Sequence, residues 1–363
     1  MDLCVALRQK ASNCDYYTVI IPAFPIRYSF SVCGYPFDMA QPAPNMPPYD
    51  ASASVRGLRD AKRVALLMAP RLGDTLLMMT MAHNLIAHGR EVTIFGDYAY
   101  GLRDWFPGMD IRPSLPEEQA AAVLKDYDCA AQMHVGWPYA LHAFAPSYFY
   151  YDAHVVITGR GFVKLNQIRD YCRDQLGLAL ADTDIGLRPP VAGRHRVFEK
   201  RVAVHPSSTG PDRCWAPRHF VELGLRLQRQ GYEPVFILAP HERAAWACLT
   251  EAGLAIQQSP ALVDVAAFIH ECGWFIGNES GVGHLASSVG VPTLTLTGRP
   301  TRTKAWRPGW SMSRIAYPAY IPGGRWRDRL WREWLRPGSV MAAFEGLTRD
   351  YKKSIMASKV ARS

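Results

Sequence analysis

Short, uninterrupted apolar runs that alternate with helical segments most constrain the fold of this chain. Arg63–Ala69 reads RVALLMA, and comparable runs recur at Glu91–Phe95, Val202–His205 and Thr293–Leu296. Strands that are apolar on both faces are typical of a parallel sheet that helices cover on both sides. The order strand, helix, strand occurs both before and after a linker at residues 187–193. The sequence therefore predicts an α/β protein with two parallel-sheet domains that face a central cleft, the usual place for a ligand.

We expect four segments in this chain of 363 residues. Residues 1–55 form an N-terminal extension that ends in a proline-rich linker, because the prolines of QPAPNMPPYD exclude a regular helix there. Residues 56–190 form a first Rossmann-like domain, which we assign to the acceptor side. Residues 195–315 form a second Rossmann-like domain for the phosphorylated ligand, and residues 316–363 form a helical tail.

Composition limits the cellular setting and the partners. The chain is 48% hydrophobic and carries a formal net charge of +9, which favours anionic ligands or an anionic membrane surface. Nucleic-acid binding has only this charge in its favour. No apolar run approaches the roughly 20 residues of a membrane span, and the first residues lack a signal-peptide core. We expect a cytoplasmic protein, with peripheral contact at the inner membrane as an alternative. The eight cysteines show no metal-binding spacing, so no metal site is expected.

The stretch from Trp274 to Arg299 reads as strand, tight turn, helix and second strand. The first amides of a helix have no internal partner and lie at the positive end of the helix dipole. Gly281 leaves room for a diphosphate beside them, Ser280 is placed to cap the helix, and Glu279 is placed to hold sugar hydroxyls. This pattern predicts a phosphorylated ligand. A plain strand–helix turn with glycines kept for packing is the alternative.

Two further turns supply polar groups at the carboxyl ends of strands, where open α/β sheets place their sites. The first is the turn that holds Arg71 and Gly73, in which Asp74 is a carboxylate at a helix start and faces the cleft. A simple N-cap is the alternative for Asp74, and it is favoured when that turn is taken in isolation. The second is the loop that holds Ser207, Ser208, Thr209 and Arg213. The residues expected to bind a diphosphate are Ser207, Ser208, Thr209, Arg213, Ser280, Gly281 and His284. A surface arginine at position 213 and a backbone-bonded helical histidine at position 284 remain alternatives.

Three motifs in this order resemble glycosyltransferase family 9, the heptosyltransferase-like enzymes. They are the RLGD turn at Arg71–Asp74, the loop HPSSTGPDRCW at His205–Trp215, and the segment ESGVGHLA at Glu279–Ala286, which GVPT follows at Gly290–Thr293. The resemblance covers about residues 60–310. It implies a GT-B fold and an inverting, metal-independent transfer of a sugar from a nucleotide-diphosphate donor to a lipopolysaccharide-type acceptor.

The resemblance also implies a role for three residues. Asp74 takes the place of the catalytic base. Arg213 takes the place of a lysine that steadies the leaving diphosphate, and Glu279 takes the place of an aspartate that holds the donor sugar. The donor is then a nucleotide-diphosphate sugar carrying heptose or a similar sugar, with an ADP-sugar favoured, and no cofactor is needed. A nucleotide-sugar epimerase of GT-B fold and a non-catalytic nucleotide-sugar-binding protein are the alternatives.

Two aromatic segments have open roles. Residues 136–151 hold seven tyrosines, phenylalanines and tryptophans, which are expected to form core rather than a wall for the acceptor. In the tail, RWRDRLWREWLR reads as a basic helix with Trp326, Trp331 and Trp334 near one face. Such a helix can lie in an anionic membrane interface, but packing across the two domains is the favoured expectation.

Overall fold

A computed structural model describes residues 6–11, 14–19, 28–31, 49–155, 163–190, 193–258, 261–319 and 330–360 of the chain. The chain divides into two compact units, Met1–Pro47 and Pro48–Ser363. In the first unit, three antiparallel strands lie side by side in chain order, β1 (Ala6–Ala11), β2 (Cys14–Val19) and β3 (Tyr28–Ser31). The prolines of the predicted linker lie outside the described residues.

The second unit begins with a five-stranded parallel sheet and its helices. The strands are β4 (Arg63–Leu67), β5 (Glu91–Phe95), β6 (Asp110–Arg112), β7 (Cys129–Gln132) and β8 (Tyr148–Tyr150). The helices are α1 (Ala51–Asp60), α2 (Leu72–Ala87), α3 (Asp97–Gly101), α4 (Glu117–Leu124) and α5 (Lys164–Asp174). The strand order is β6-β5-β4-β7-β8, with β4 at the centre.

A six-stranded parallel sheet follows in the same unit. Its strands are β9 (Phe198–His205), β10 (Glu233–Phe236), β11 (Ala255–Ile256), β12 (Cys272–Asn278), β13 (Thr293–Leu296) and β14 (Ser313–Ala316). Its helices are α6 (Pro217–Arg229), α7 (Ala247–Glu251), α8 (Leu262–Glu271), α9 (Gly281–Ser288), α10 (Pro300–Trp306) and the C-terminal helix (Pro337–Val360). The order β11-β10-β9-β12-β13-β14 places β9 and β12 side by side. The two parallel sheets with their helices confirm the predicted fold class.

The continuous apolar runs form strands because both of their faces are covered. In β4, Val64 and Leu66 belong to one buried cluster, whereas Ala65 and Leu67 belong to another. This arrangement is the expected one for a central parallel strand. The cluster of Val64 extends through α2 to Phe275 of the second sheet. The apolar cores of the two sheets are therefore continuous through α2.

The aromatic-rich segment between β7 and α5 forms core, as expected. Phe149, Tyr150 and Tyr151 are completely buried, and Tyr139 is nearly so. Residues 148–150 of this segment form the edge strand β8, which the aromatic pattern of the sequence does not indicate. Three consecutive aromatic side chains suit the extended backbone of a strand, and here Phe149 and Tyr150 pack into the core.

The described part of the tail packs on the second domain. Trp331 is 2% exposed and Leu335 is 1% exposed, whereas Trp334 is 45% exposed and Trp326 lies outside the described residues. The C-terminal helix contributes four buried side chains, including Phe344, to the core of the second sheet. The described part of the tail is therefore packed, as expected, and its buried side chains belong to the core of the second domain. Over the described residues, no helix combines the length and the apolar character that crossing a bilayer requires.

Candidate active site

The first turns of α2 and α9 meet between the two sheets. A Cβ atom added at Gly281 would lie 2.9 Å from the backbone nitrogen of Gly73 and 2.7 Å from the Cβ of Leu72. A Cβ atom added at Gly73 would lie 3.2 Å from Cδ2 of His284. Glycine at position 281 therefore permits an approach that a Cβ atom would block, and the fit at position 73 is tight. This contact brings the turn after β4 and the turn after β12 to one place.

Asp74 is the third residue of α2, and it does not cap the helix. The N-cap position belongs to Arg71, whose side chain makes no capping hydrogen bond. The N-cap alternative for Asp74 is therefore wrong, because the helix begins at Leu72, whereas that alternative requires it to begin at Thr75. The Asp74 side chain is only 13% exposed, and it lies close enough to His284 for its charge to affect that imidazole. Asp74 thus stands where the two helix starts converge.

A row of alternating acidic and basic groups extends from Asp74 into the first domain. His134 Nε2 lies 3.1 Å from Asp74 Oδ2, and His134 Nδ1 lies 2.7 Å from Asp152 Oδ2. Lys164 Nζ donates to Asp152 Oδ1 over 2.8 Å. Lys164 is the first residue of α5, and its side chain is 3% exposed. The row supplies Asp74 with a fixed neighbour on one carboxylate oxygen only.

The loop after β9 is joined to the turn after β12 by hydrogen bonds. Ser208 Oγ donates to the Glu279 carbonyl over 2.7 Å, and His205 Nδ1 lies 3.1 Å from Ser280 Oγ. The buried Asn278 amide accepts from the Trp215 backbone N–H over 3.1 Å. These contacts follow from the adjacency of β9 and β12 in the sheet. The loop after β9 and the turn after β12 therefore lie side by side, at the rim formed by the carboxyl ends of these two strands.

Ser280 caps α9 as predicted. Its side chain accepts a hydrogen bond from the Gly283 backbone N–H, and its backbone is extended. On the neighbouring loop, Ser207 Oγ is buried and has no hydrogen-bond partner among the described residues. Arg213 Nη1 donates to Thr209 Oγ1 over 3.4 Å at the exposed end of that loop. Hydroxyls, a guanidinium and a helix start thus line the same rim, and this combination suits an oxyanion.

Glu279 has a fixed carboxylate. Thr303 Oγ1 donates to Glu279 Oε2 over 2.8 Å, and Thr303 Oγ1 also lies 2.8 Å from Thr297 Oγ1. Thr303 is completely buried in α10. A carboxylate fixed through one oxygen keeps the other available to accept from a sugar hydroxyl. Across the described part of the chain, no group of three or more His, Cys, Asp or Glu side chains is arranged to hold a metal ion.

The family follows from a profile match over these elements. The profile of glycosyltransferase family 9 (heptosyltransferase) matches residues 127–320. The chain belongs to glycosyltransferase family 9. The match includes the loop after β9 and the turn after β12, but it starts after Asp74.

Relatives in family 9 agree with this assignment. Lipopolysaccharide heptosyltransferase 3 of Escherichia coli is 28% identical over 129 residues, which are 33% of this chain and 37% of that protein. The chain therefore spans little more than a third of the length of the curated relatives it matches. A glycosyl transferase family 9 structure from Veillonella parvula has a TM-score of 0.61 at 16% identity, covering 80% of this chain and 97% of that one. E. coli ADP-heptose lps heptosyltransferase II has a TM-score of 0.60 at 16% identity, covering 80% and 99%. These two structures support the GT-B fold.

The pKa values of three histidines at this site are shifted in opposite directions. Burial lowers the pKa of His284 to about 4, and the nearby Asp74 charge only partly offsets that effect. Burial likewise lowers the pKa of His205 to about 4. For His134, burial also acts to lower the pKa, but the hydrogen bonds to Asp152 and Asp74 outweigh it and raise the pKa to about 9. His284 is therefore a neutral group beside the helix start at neutral pH, whereas His134 is a cation.

Sequence reasoning missed His134, Asp152, Lys164 and Thr303. His134 is 60 residues from Asp74 and 18 from Asp152 in the sequence, and none of the four belongs to a motif of family 9 quoted above. One indication was available: His134 and Asp152 each lie one residue beyond the residue that follows a neighbouring strand, β7 or β8. If β8 is recognised as a strand, both residues are placed beyond the carboxyl ends of the parallel strands, at the same end of the sheet as Asp74.

Proposed function

We propose that this chain is an inverting glycosyltransferase that moves a heptose or similar sugar from a nucleotide-diphosphate sugar to a lipopolysaccharide or related glycan acceptor. The observation that carries the proposal is the contact between Gly73 and Gly281. Through it, a carboxylate of the first domain stands beside the capped helix start of the second. A base and a diphosphate-binding rim at one point are what a single displacement at an anomeric carbon requires.

In the proposed reaction, Oδ1 of Asp74, which has no hydrogen-bond partner among the described residues, accepts the proton of an acceptor hydroxyl. The acceptor oxygen attacks the anomeric carbon from the face opposite the diphosphate, and the bond from that carbon to the diphosphate oxygen breaks. The electron pair leaves with the nucleoside diphosphate, and the configuration at the carbon is inverted. General-base assistance of this type contributes roughly 10²–10⁴ in rate.

The second domain binds the donor in this proposal. The helix start at Ser280 and Gly281, the neutral His284, and the loop that holds Ser207, Ser208, Thr209 and Arg213 stabilise the charge that grows on the departing diphosphate. Glu279, fixed by Thr303, accepts hydrogen bonds from hydroxyls of the donor sugar. Because these groups supply the charge stabilisation, we propose that transfer requires no metal ion and no cofactor. In this proposal, Arg71 and Gly73 lie near the cleft, in the same turn as Asp74.

The substrates are proposed from the relatives. One similar structure is named as an ADP-heptose lps heptosyltransferase, and the curated relatives are named as lipopolysaccharide heptosyltransferases. We therefore propose ADP-heptose or a similar ADP-sugar as donor. We further propose that the enzyme is cytoplasmic and meets a lipid-linked acceptor at the inner face of the membrane.

The test is a transfer assay with truncated lipopolysaccharide as acceptor and ADP-, GDP-, UDP- and CMP-sugars as donors. We expect transfer from an ADP-sugar, a product whose anomeric configuration is opposite to that of the donor by NMR, and unchanged turnover after dialysis against EDTA. Retained configuration would contradict the single displacement, and loss of turnover that returns with a divalent ion would contradict metal independence. Epimerised sugar without transfer would identify an epimerase instead.

A further inference from the structure

In the row formed by Asp74, His134, Asp152 and Lys164, the two carboxylates determine the protonation state of His134. Both ring nitrogens of His134 lie within hydrogen-bond distance of carboxylate oxygens, 3.1 Å from Asp74 Oδ2 and 2.7 Å from Asp152 Oδ2. An ionised carboxylate only accepts hydrogen bonds, and a neutral imidazole donates through one nitrogen only. Both contacts are satisfied with ionised carboxylates only when His134 carries two N–H groups. His134 is therefore an imidazolium while both aspartates are ionised.

The partners of Asp152 keep it ionised. Lys164 Nζ lies 2.8 Å from Asp152 Oδ1, and the Lys164 ammonium is also 4.6 Å from the centre of the Tyr151 ring and 5.0 Å from the centre of the Trp306 ring. Although burial of Asp152 raises its pKa, the hydrogen bond from His134 and the charge of Lys164 lower it by more. The four side chains thus alternate in charge, and Lys164 is fixed between two aromatic rings.

We propose that His134 is a positioning residue for Asp74, which it fixes through one carboxylate oxygen so that the other meets the acceptor hydroxyl. This inference rests on the proposed function, since it assigns Asp74 a role as base. Asp152 and Lys164 act behind His134 by fixing its ring and its charge. The consequence is that the rate of the chemical step depends on the protonation of His134, although His134 does not touch the substrate.

Two further charged or titratable side chains, Arg71 and His284, lie near the row. Arg71 lies over the Trp137 ring at 4.9 Å from its centre, and that ring is 5.4 Å from the ring of His134. On the opposite helix, His284 lies near Asp74 and is neutral at neutral pH because burial lowers its pKa to about 4. Asp74 and Asp152 are therefore the groups that control the titration of His134, whose pKa they raise to about 9 although burial opposes them.

The kinetic test compares His134→Gln with the wild type in the full-length chain. Glutamine can donate one hydrogen bond but carries no charge and does not titrate. We expect kcat to fall about 10- to 100-fold, as for a misplaced reacting group, with KM for donor and acceptor changed less than about threefold. We also expect the wild-type kcat to fall as the pH rises through about 9, and this fall to be absent in His134→Gln. A merely structural histidine would not produce that difference in the pH profiles.

His83→Gln is the matched control, because His83 lies on the same helix as Asp74 and is also near a carboxylate, with Nε2 3.9 Å from Asp184. We expect its kcat and pH profile to match those of the wild type. An equal fall of kcat in both variants would assign the effect to helix α2 as a whole and would overturn the role of His134.

A second measurement does not depend on turnover. In ¹⁵N-histidine-labelled protein, the His134 resonance, assigned by its loss in His134→Gln, is expected to show two protonated ring nitrogens at pH 8. In Asp152→Asn, His134 is expected to lose one proton well below pH 8. Failure of the wild type to transfer any sugar would overturn the proposed function, and with it the inference. Transfer by the wild type together with a neutral His134 at pH 8, or with an unchanged kcat in His134→Gln, would overturn the inference alone.

Discussion

Arg213 provides the fixed positive charge of the proposed donor site. Its guanidinium donates to Thr209 on the same loop, so it is oriented before a ligand arrives. Replacement with alanine removes a charge-assisted hydrogen bond, worth roughly 1.5–3 kcal/mol. We expect Arg213→Ala to weaken donor binding in calorimetry by about that amount. Arg226→Ala is the control, because Arg226 forms an ion pair with Glu222 on the surface of α6. Unchanged donor binding in Arg213→Ala would refute the assignment.

Residues that act through local sequence were predictable, and residues that act through tertiary contacts were not. Ser280 could be recognised as a cap because a cap needs only the helix that follows it. Asp74 was placed at the right turn, but its N-cap alternative failed, since propensity does not determine at which residue a helix starts. Thr303 fixes Glu279 from 24 residues away. No local pattern indicates such a partner.

At the scale of elements, the contact between α2 and α9 depends on glycine. In Gly281→Ala, the new Cβ would lie 2.7 Å from the Leu72 Cβ, so the two helix starts must separate. We expect a loss of about 1–3 kcal/mol in the free energy of unfolding and a lower kcat, measured by urea titration and by the transfer assay. In the control Gly283→Ala, the nearest atom would be at an ordinary 3.5 Å. We expect that variant to change the free energy of unfolding by less than about 1 kcal/mol. Equal stability of the two variants would contradict the close contact.

The tail offers two tryptophans in different settings. Trp331 is buried and donates from Nε1 to the Asp212 carbonyl over 3.0 Å, whereas Trp334 is 45% exposed. We expect Trp331→Ala to cost about 3–5 kcal/mol of the free energy of unfolding. Trp334→Ala is expected to change it by less than about 0.5 kcal/mol. Equal urea midpoints for the two variants would contradict the packing of the tail. Sedimentation of Trp334→Ala with anionic liposomes, compared with the wild type, tests separately whether the exposed ring meets a membrane.

Elements that could be predicted from the sequence carry a recognisable pattern in their own residues, whereas the missed strand depends on its pairing with another strand. The strands β4, β9 and β12 were predicted because continuous apolar runs require cover on both faces. Strand β8 was missed, since its three aromatic residues become a sheet edge only when they pair with β7.

At the scale of the whole molecule, the buried histidines predict opposite effects of pH on stability. The pKa of His134 is raised to about 9, so its contribution is complete below about pH 6.5 and is lost as the pH rises through 9. The pKa values of His205 and His284 are lowered to about 4. Their contribution is complete above about pH 6.5 and is lost as the pH falls towards 4. We expect the free energy of unfolding to decrease on both sides of pH 6.5.

Urea titrations at pH 5, 6.5 and 9 check this expectation, with His134→Gln as the comparison. The variant is expected to lose less stability than the wild type between pH 6.5 and 9, and to lose a similar amount between pH 6.5 and 5. An identical loss on the alkaline side in both proteins would show that another group is responsible.

In the proposed reaction, the first domain provides the carboxylate that accepts the proton, and the second domain binds the departing diphosphate. The most direct measurement is the transfer rate and donor affinity of Asp74→Asn, which keeps the size of the side chain and removes its ability to accept a proton. We predict a kcat about 10²–10⁴ lower than that of the wild type, with a donor Kd within about twofold by calorimetry. A kcat close to that of the wild type would contradict the central claim that Asp74 is the base.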